Sequence, residues 1–278
     1  MKKILVPCDF SSSSKEAFRF AVQLAERTRA EVYVLRVTEL PVLYEPGMGA
    51  PEYGFDQELI QDLAEDAQHK LESLEKDFGI SGNNIHLLNE TGPVDSTIRE
   101  VSEELQMDLI VMGTHPLDSW IESVLGTHTR KIVRTASVPV LTIKKFVDFY
   151  SIKNIVFPTM LMNEREAVVH EVRFLQRLFG AKLHILFVNK PSDFHSDQNI
   201  RKAMDAFIEK YSFENFTTNV YNDQTTARGI IHFTEEIGAD LIAMGTQAHR
   251  GFVPFFQEHV AEGVLDGTNA LLWSLALP

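Results

Sequence analysis

The sequence predicts an α/β protein made of two copies of one domain, each a parallel, doubly wound sheet with helices on both faces. Three observations carry that expectation. Residues 108–114 recur as residues 240–246, with six of seven positions identical and an offset of 132. Lys3-Ile4-Leu5-Val6-Pro7 parallels Asn154-Ile155-Val156-Phe157-Pro158 at an offset of 151, and both are apolar runs stopped by Pro. Between such runs lie helical patterns, and strands that alternate with helices imply a parallel sheet. An apolar run ending in Gly, as at Met112-Gly113, reads as a buried strand leaving such a sheet. Ligands of open α/β sheets bind at those carboxyl ends.

The elements follow in order. Residues 3–7 form the first strand. Ser13 to Glu16 has the form of a capping box, with Ser13 as cap and Glu16 reaching back. Ala17, Phe20, Ala21, Leu24 and Ala25 then share one helical face. Val32 to Val37 is the second strand, paralleled by Leu183 to Val188 at the offset of 151. The offset falls to 132 afterwards, so the first copy carries 19 extra residues, most of them assigned to Glu39 to Phe55. That stretch, rich in Pro, Gly and Tyr, is expected to be a lid, a partner surface or a plain insertion.

A second helix runs through Ile60, Leu63, Ala67, Leu71, Leu74 and Phe78, and a third strand spans His86 to Asn89. A third helix passes through Val94, Ile98, Val101 and Leu105, and a fifth strand covers Val138 to Ile143. The second copy repeats the order, with helices through Ala167 to Phe179, Met204 and Phe207, and Ile230 to Ile237. The domains are placed at 1–146 and 151–278. Their junction, Phe146 to Ser151, lacks the Gly and Ser of a flexible linker, so the halves are expected to pack together.

Composition narrows the function. A chain of 278 residues suits two domains of ~100–200 residues each. The formal net charge of −13 disfavours nucleic acid and anionic membranes as partners. It leaves room for a nucleotide, which needs only a local set of N–H donors. The lone Cys8 forbids an intramolecular disulfide and reads as a small buried residue rather than a redox sensor. Pro7 and Asp9 interrupt any signal-peptide core, and no apolar run reaches membrane length, so a cytoplasmic location is expected.

After the fourth strand the chain reads Gly113-Thr114-His115-Pro116, then nine residues, then Gly126-Thr127-His128-Thr129. This resembles the universal stress protein family, whose nucleotide-binding members carry Gly-x2-Gly-x9-Gly-(Ser/Thr) here. Ile4-Leu5-Val6-Pro7-Cys8-Asp9 and Thr135-Ala136-Ser137-Val138-Pro139-Val140-Leu141 extend the likeness, and the whole chain reads as a tandem pair. The resemblance implies Rossmann-like domains of the adenine nucleotide alpha hydrolase type, each with a five-stranded sheet. It implies that Val138–Ile143 and Leu271–Leu277 pair within the chain as a pseudo-dimer, with a homodimer of chains left open. It also implies a stress-response regulator that binds ATP, with or without Mg²⁺, and that is not a metabolic enzyme, with slow ATP hydrolysis left open.

The nucleotide site implied comprises Pro7, Cys8, Asp9, Val37, Met112, Gly113, Thr114, His115, Gly126, Thr127, His128 and Thr129. Asp9 is placed near the adenine and ribose, Val37 beside the base, and Met112 to His115 along the ribose and phosphates. The physical reading agrees with it. Gly113 allows close backbone approach to a ligand. Gly126 and Thr127 open a helix whose free N–H groups favour phosphate, and the Thr127 and Thr129 hydroxyls can donate to it. Pro116 replaces the family's second Gly and lacks an N–H, which removes one donor.

In the second copy Ala248, Glu258 and His259 stand at the positions of Pro116, Gly126 and Thr127, and Met160 stands at that of Asp9. A carboxylate at the phosphate position repels an anion, so no nucleotide is expected there. Other chemistries fit less well. His115 with His128, and His249 with His259, form no close metal-ligand set. There is no Gly-x-Ser-x-Gly elbow, no Walker loop and no Gly-x-Gly-x-x-Gly after the first strand. Ser11 to Ser14 contain no Gly and read as a helix start rather than a nucleophile. The alternative to a nucleotide-binding protein is an interaction module acting through the 39–55 loop and the acidic surface.

Overall fold

Ile4, Leu5 and Val6 are fully buried although successive strand side chains point to opposite faces, so helices must cover both sides of the sheet. The computed structural model describes residues 1–39, 57–78, 84–114, 124–161, 164–247 and 260–277. The first half runs β1 (Lys3–Pro7), α1 (Ser12–Thr28), β2 (Glu31–Thr38), α2 (Gln57–Asp77), β3 (Ile85–Thr91), α3 (Val94–Glu104), β4 (Leu109–Gly113), α4 (Val124–Thr135) and β5 (Val140–Ile143). The second runs β6 (Asn154–Pro158), α5 (Glu166–Phe179), β7 (Lys182–Asn189), α6 (Asp197–Tyr211), β8 (Phe216–Asn222), α7 (Thr226–Glu236), β9 (Leu241–Gln247), α8 (Val260–Gly267) and β10 (Leu271–Leu277). The expected order of elements is therefore present twice. The fifth strand starts at Val140, two residues later than expected, because Pro139 has no N–H to enter a ladder; its carbonyl accepts from the Ile110 N–H at 2.9 Å.

The ten strands form one sheet in the order β3-β2-β1-β4-β5-β10-β9-β6-β7-β8. Every neighbouring pair is parallel except β5 and β10, which join antiparallel with Leu141 opposite Trp273. The expected pairing of the two fifth strands thus merges two five-stranded sheets into one. Trp273 lies fully buried at that join. Arg130 of α4 meets Asp266 of α8 at 3.0 Å, and Arg134 meets Glu262 at 3.5 Å. The junction contributes as well. Phe149, in a short 3-10 turn (Phe149–Ser151), packs its ring 6.3 Å from Phe20 of α1 and 5.0 Å from Phe179 of α5.

The internal repeat reaches individual bonds. Asp108 takes the Lys3 N–H at 3.0 Å, and its counterpart Asp240 takes the Asn154 N–H at 2.9 Å. Phe10 and Leu161, 151 positions apart, both adopt left-handed backbone, with φ of 62° and 63°. No helix among the described residues is long and apolar enough to cross a membrane. The extra segment of the first copy, residues 40–55 of Glu39 to Phe55, lies outside the described residues.

Candidate functional site

The strand order reverses direction between β1 and β4, which opens a crevice at their carboxyl ends. Pro7 closes β1 opposite Leu35, and the next residue, Cys8, still donates its N–H to the Leu35 carbonyl at 2.9 Å. Cys8 is buried, and burial pushes its thiol pKa up, in keeping with a packing role. The chain then turns through Phe10 into α1.

The cap of α1 is Ser11 rather than Ser13: its hydroxyl accepts from the Ser14 N–H at 3.4 Å. Asp9 explains the difference. Its Oδ1 accepts from the Ser11 N–H at 3.0 Å and from the Ser14 hydroxyl at 2.7 Å, which fixes the cap two residues earlier. Burial alone would raise the Asp9 pKa, but the hydrogen bonds from Ser11 and Ser14 outweigh it and hold the carboxyl below its ordinary value. Asp9 is therefore an ionised acceptor at the mouth of the crevice. The serines serve the helix start.

Across the crevice, Met112 is buried and Gly113 ends β4. A Cβ on Gly113 would stand 2.3 Å from the Ser13 carbonyl carbon and 2.6 Å from the Ser14 N. The close approach that Gly113 permits is that of the protein's own α1 backbone. Thr114 is buried and donates its N–H to the Ile143 carbonyl at 2.8 Å. Val37 lies near the end of β2, opposite Glu90 of β3, and packs against the cluster that includes Ile98, Met112 and Ile132.

Gly126 and Thr127 fall in the first turn of α4, at the carboxyl edge of the sheet. His115 and Pro116 lie outside the described residues, as do Ala248, His249, Glu258 and His259. Fully buried Thr129 donates its hydroxyl to the Gly113 carbonyl at 3.3 Å, tying α4 to β4. Its proton is directed at the protein rather than at a phosphate. His128 Nδ1 lies 2.5 Å from Asp95 Oδ1. Lys131 Nζ lies 2.5 Å from Asp95 Oδ2. Burial would raise the Asp95 pKa, but Lys131 and His128 outweigh it and hold the carboxyl low. Asp95, Ser11 and Ser14 belong to this neighbourhood, and the sequence pattern did not single them out for it. The repeat itself held a signal for Asp95, whose counterpart at offset 132 is Ala227.

The same place in the second half is built differently. Thr159 stands where Cys8 does and keeps its backbone bond, to the Leu186 carbonyl at 2.9 Å. Its hydroxyl donates to Glu164 Oε2 at 2.9 Å, while Met160 is exposed. Burial raises the Glu164 pKa, with the Thr159 bond opposing.

A model of the universal stress protein family matches residues 1–144. The chain belongs to the universal stress protein family. Universal stress protein MJ0531 of Methanocaldococcus jannaschii is 33% identical over 147 residues, covering 52% of this chain and 82% of that protein. Universal stress protein MJ0577 of the same organism is 27% identical over 154 residues, covering 52% of this chain and 95% of its own length. A universal stress protein from Archaeoglobus fulgidus has the same overall fold, with a TM-score of 0.75 at 18% identity, covering 99% of this chain and 98% of that one. The tandem form is visible in the repeat and in the ten-stranded sheet of this universal stress protein. Each of the two Methanocaldococcus jannaschii relatives matches about half of the chain along most of its own length.

Proposed function

We propose that this protein is a cytoplasmic stress-response regulator that binds adenine nucleotide, ATP in the first instance, in the crevice of its first half. On this reading it divides into modules at 1–146 and 151–278, and the second module carries no nucleotide. One observation supports the reading most. Ionised Asp9 and the first turn of α4 flank one strand-end crevice, at the point where the strand order reverses. The bonds that hold Asp9 end on Oδ1. Oδ2 is then the atom to accept from a ribose hydroxyl or an adenine amino group. The backbone N–H groups opening α4 would take the phosphates, with Mg²⁺ as their counter-ion.

In the second half, Met160 removes the acceptor and Glu164 places a carboxylate beside the strand end, which opposes an anion. The role is regulatory binding, and slow hydrolysis of the bound ATP is compatible with it.

Calorimetric titration of ATP with Mg²⁺ into nucleotide-free protein tests this. One site per chain is expected. Gly126→Glu, which copies the second half, should abolish it. No binding to the emptied protein would overturn the reading in favour of an interaction module working through the 39–55 segment. Unchanged affinity in the variant would overturn the assigned site.

A further inference from the structure

The two halves offer an internal control for the contact between α3 and α4. In the first half that contact is polar. Asp95, in the first turn of α3, gives one carboxylate oxygen to His128 and the other to Lys131. These two side chains lie on one face of α4, one turn apart. In the second half, at the offset of 132, the three positions are Ala227, Val260 and Gly263. There α7 and α8 meet by close packing: a Cβ on Gly263 would stand 3.2 Å from the Ala227 Cβ. The same helix pair therefore forms without any of the three charged or polar groups.

A half-buried carboxylate carries a desolvation cost that small apolar residues avoid. An acid in the first turn of a helix has reason enough in the helix dipole. That reason does not call for both of its oxygens to reach a neighbouring helix. The polar set occurs in the half that has Gly-Thr at the start of its fourth helix, and is missing where Glu258-His259 replaces them. Glu39, at the end of β2, adds to the same corner by accepting the Val94 N–H at 3.2 Å, which anchors the start of α3.

We propose that Asp95 is a positioning residue for the phosphate end of the site. By holding His128 and Lys131 on one anchored carboxylate, it sets the rotation of α4 about its axis, and with it the direction of the free N–H groups of its first turn, Val124 to Gly126. This rests on the reading of the crevice as an adenine-nucleotide site. Lys131 also balances the Asp95 charge, so that a phosphate approaching the α4 terminus does not meet an uncompensated anion.

The test compares ATP with adenosine, which lacks phosphates, on the full nucleotide-free chain, by calorimetry and by displacement of a fluorescent ATP analogue. The variants are Asp95→Ala, Asp95→Ala with His128→Val, and the isosteric Asp95→Asn. The first copies one and the second copies two of the three second-half positions, and both are expected to fold. Their ATP affinity should fall about tenfold, the equivalent of one charge-assisted hydrogen bond, while adenosine affinity stays within about twofold. Asp95→Asn keeps an acceptor oxygen and should recover part of the loss, and it carries the test if an alanine variant does not fold.

ATP affinity within about twofold of wild type in every variant would overturn the role of Asp95. So would ATP and adenosine affinities that fall in step, the mark of a merely structural residue. A wild-type chain that binds no ATP overturns the crevice reading itself and this role with it, whereas the other results leave that reading standing.

Discussion

Lys144 is an unusual residue for its position. It follows β5 at the seam between the halves, with a relative exposure of 8%. Its ammonium donates to the Asp266 carbonyl at 3.4 Å, near the carboxyl end of α8, where a cation suits the helix dipole. Burial nevertheless lowers its pKa from 10.5 to about 8, with Asp266 opposing the shift and Arg130 adding to it. The folded value lies below the unfolded one, so the folded chain binds fewer protons between those two pH values. Stability contributed by this group therefore rises with pH across that window, and its cost is full below pH 8. Lys144→Met should be more stable than wild type at pH 7, by about 1–2 kcal/mol. The advantage should shrink as pH rises from about 8 toward 10.5. Denaturant melts of both chains across that range decide it, and a variant less stable at pH 7 would contradict the account.

Gly113 belongs to the scale of elements, because it governs how α1 lies against β4. With a Cβ held 2.3 Å from backbone, Gly113→Ala requires α1 to move. A loss of about 2–3 kcal/mol is expected, readable as a lower midpoint in urea. An unshifted midpoint would show that α1 gives way freely. The sequence disclosed this Gly but not its neighbour, which lies 100 residues away along the chain. The strands were legible because a short apolar run halted by Pro or Gly fits a buried strand and little else. The cap of α1 was not, because four consecutive serines offer several frames, and Asp9 chooses among them through Ser14. Asp95 was illegible as a site residue, since an acid in a first helical turn is ordinary and its partners come from a different helix.

At the scale of the whole molecule, the seam between the halves is divided by charge. Arg130 corresponds to Glu262 and Arg134 to Asp266 at the offset of 132, and the observed pairs are crossed, Arg130 with Asp266 and Arg134 with Glu262. Two first halves meeting in this way would set Arg against Arg, and two second halves would set Asp against Glu. The arrangement favours unlike halves. The groups are partly exposed, so each bridge is worth only ~0.2–1 kcal/mol. Arg130→Glu with Arg134→Glu should cost about 1–3 kcal/mol, since attraction becomes repulsion. Adding Glu262→Arg and Asp266→Arg should restore stability to within about 0.5 kcal/mol. Thermal melts at low and high salt check this. A fourfold variant no more stable than the double one would remove charge as the selector.

The antiparallel join of β5 to β10 gives the chain a freedom that a pair of identical subunits lacks. In a symmetric dimer every substitution appears twice, and a surface that meets itself must remain its own complement. Here each change is made once, and the two surfaces need fit only each other. A carboxylate can settle at one strand end while the counterpart end keeps a glycine at its helix start, and arginines can gather on one side while acids gather opposite. The molecule can thus hold one site open and give the other over to structure without dismantling the sheet that both share.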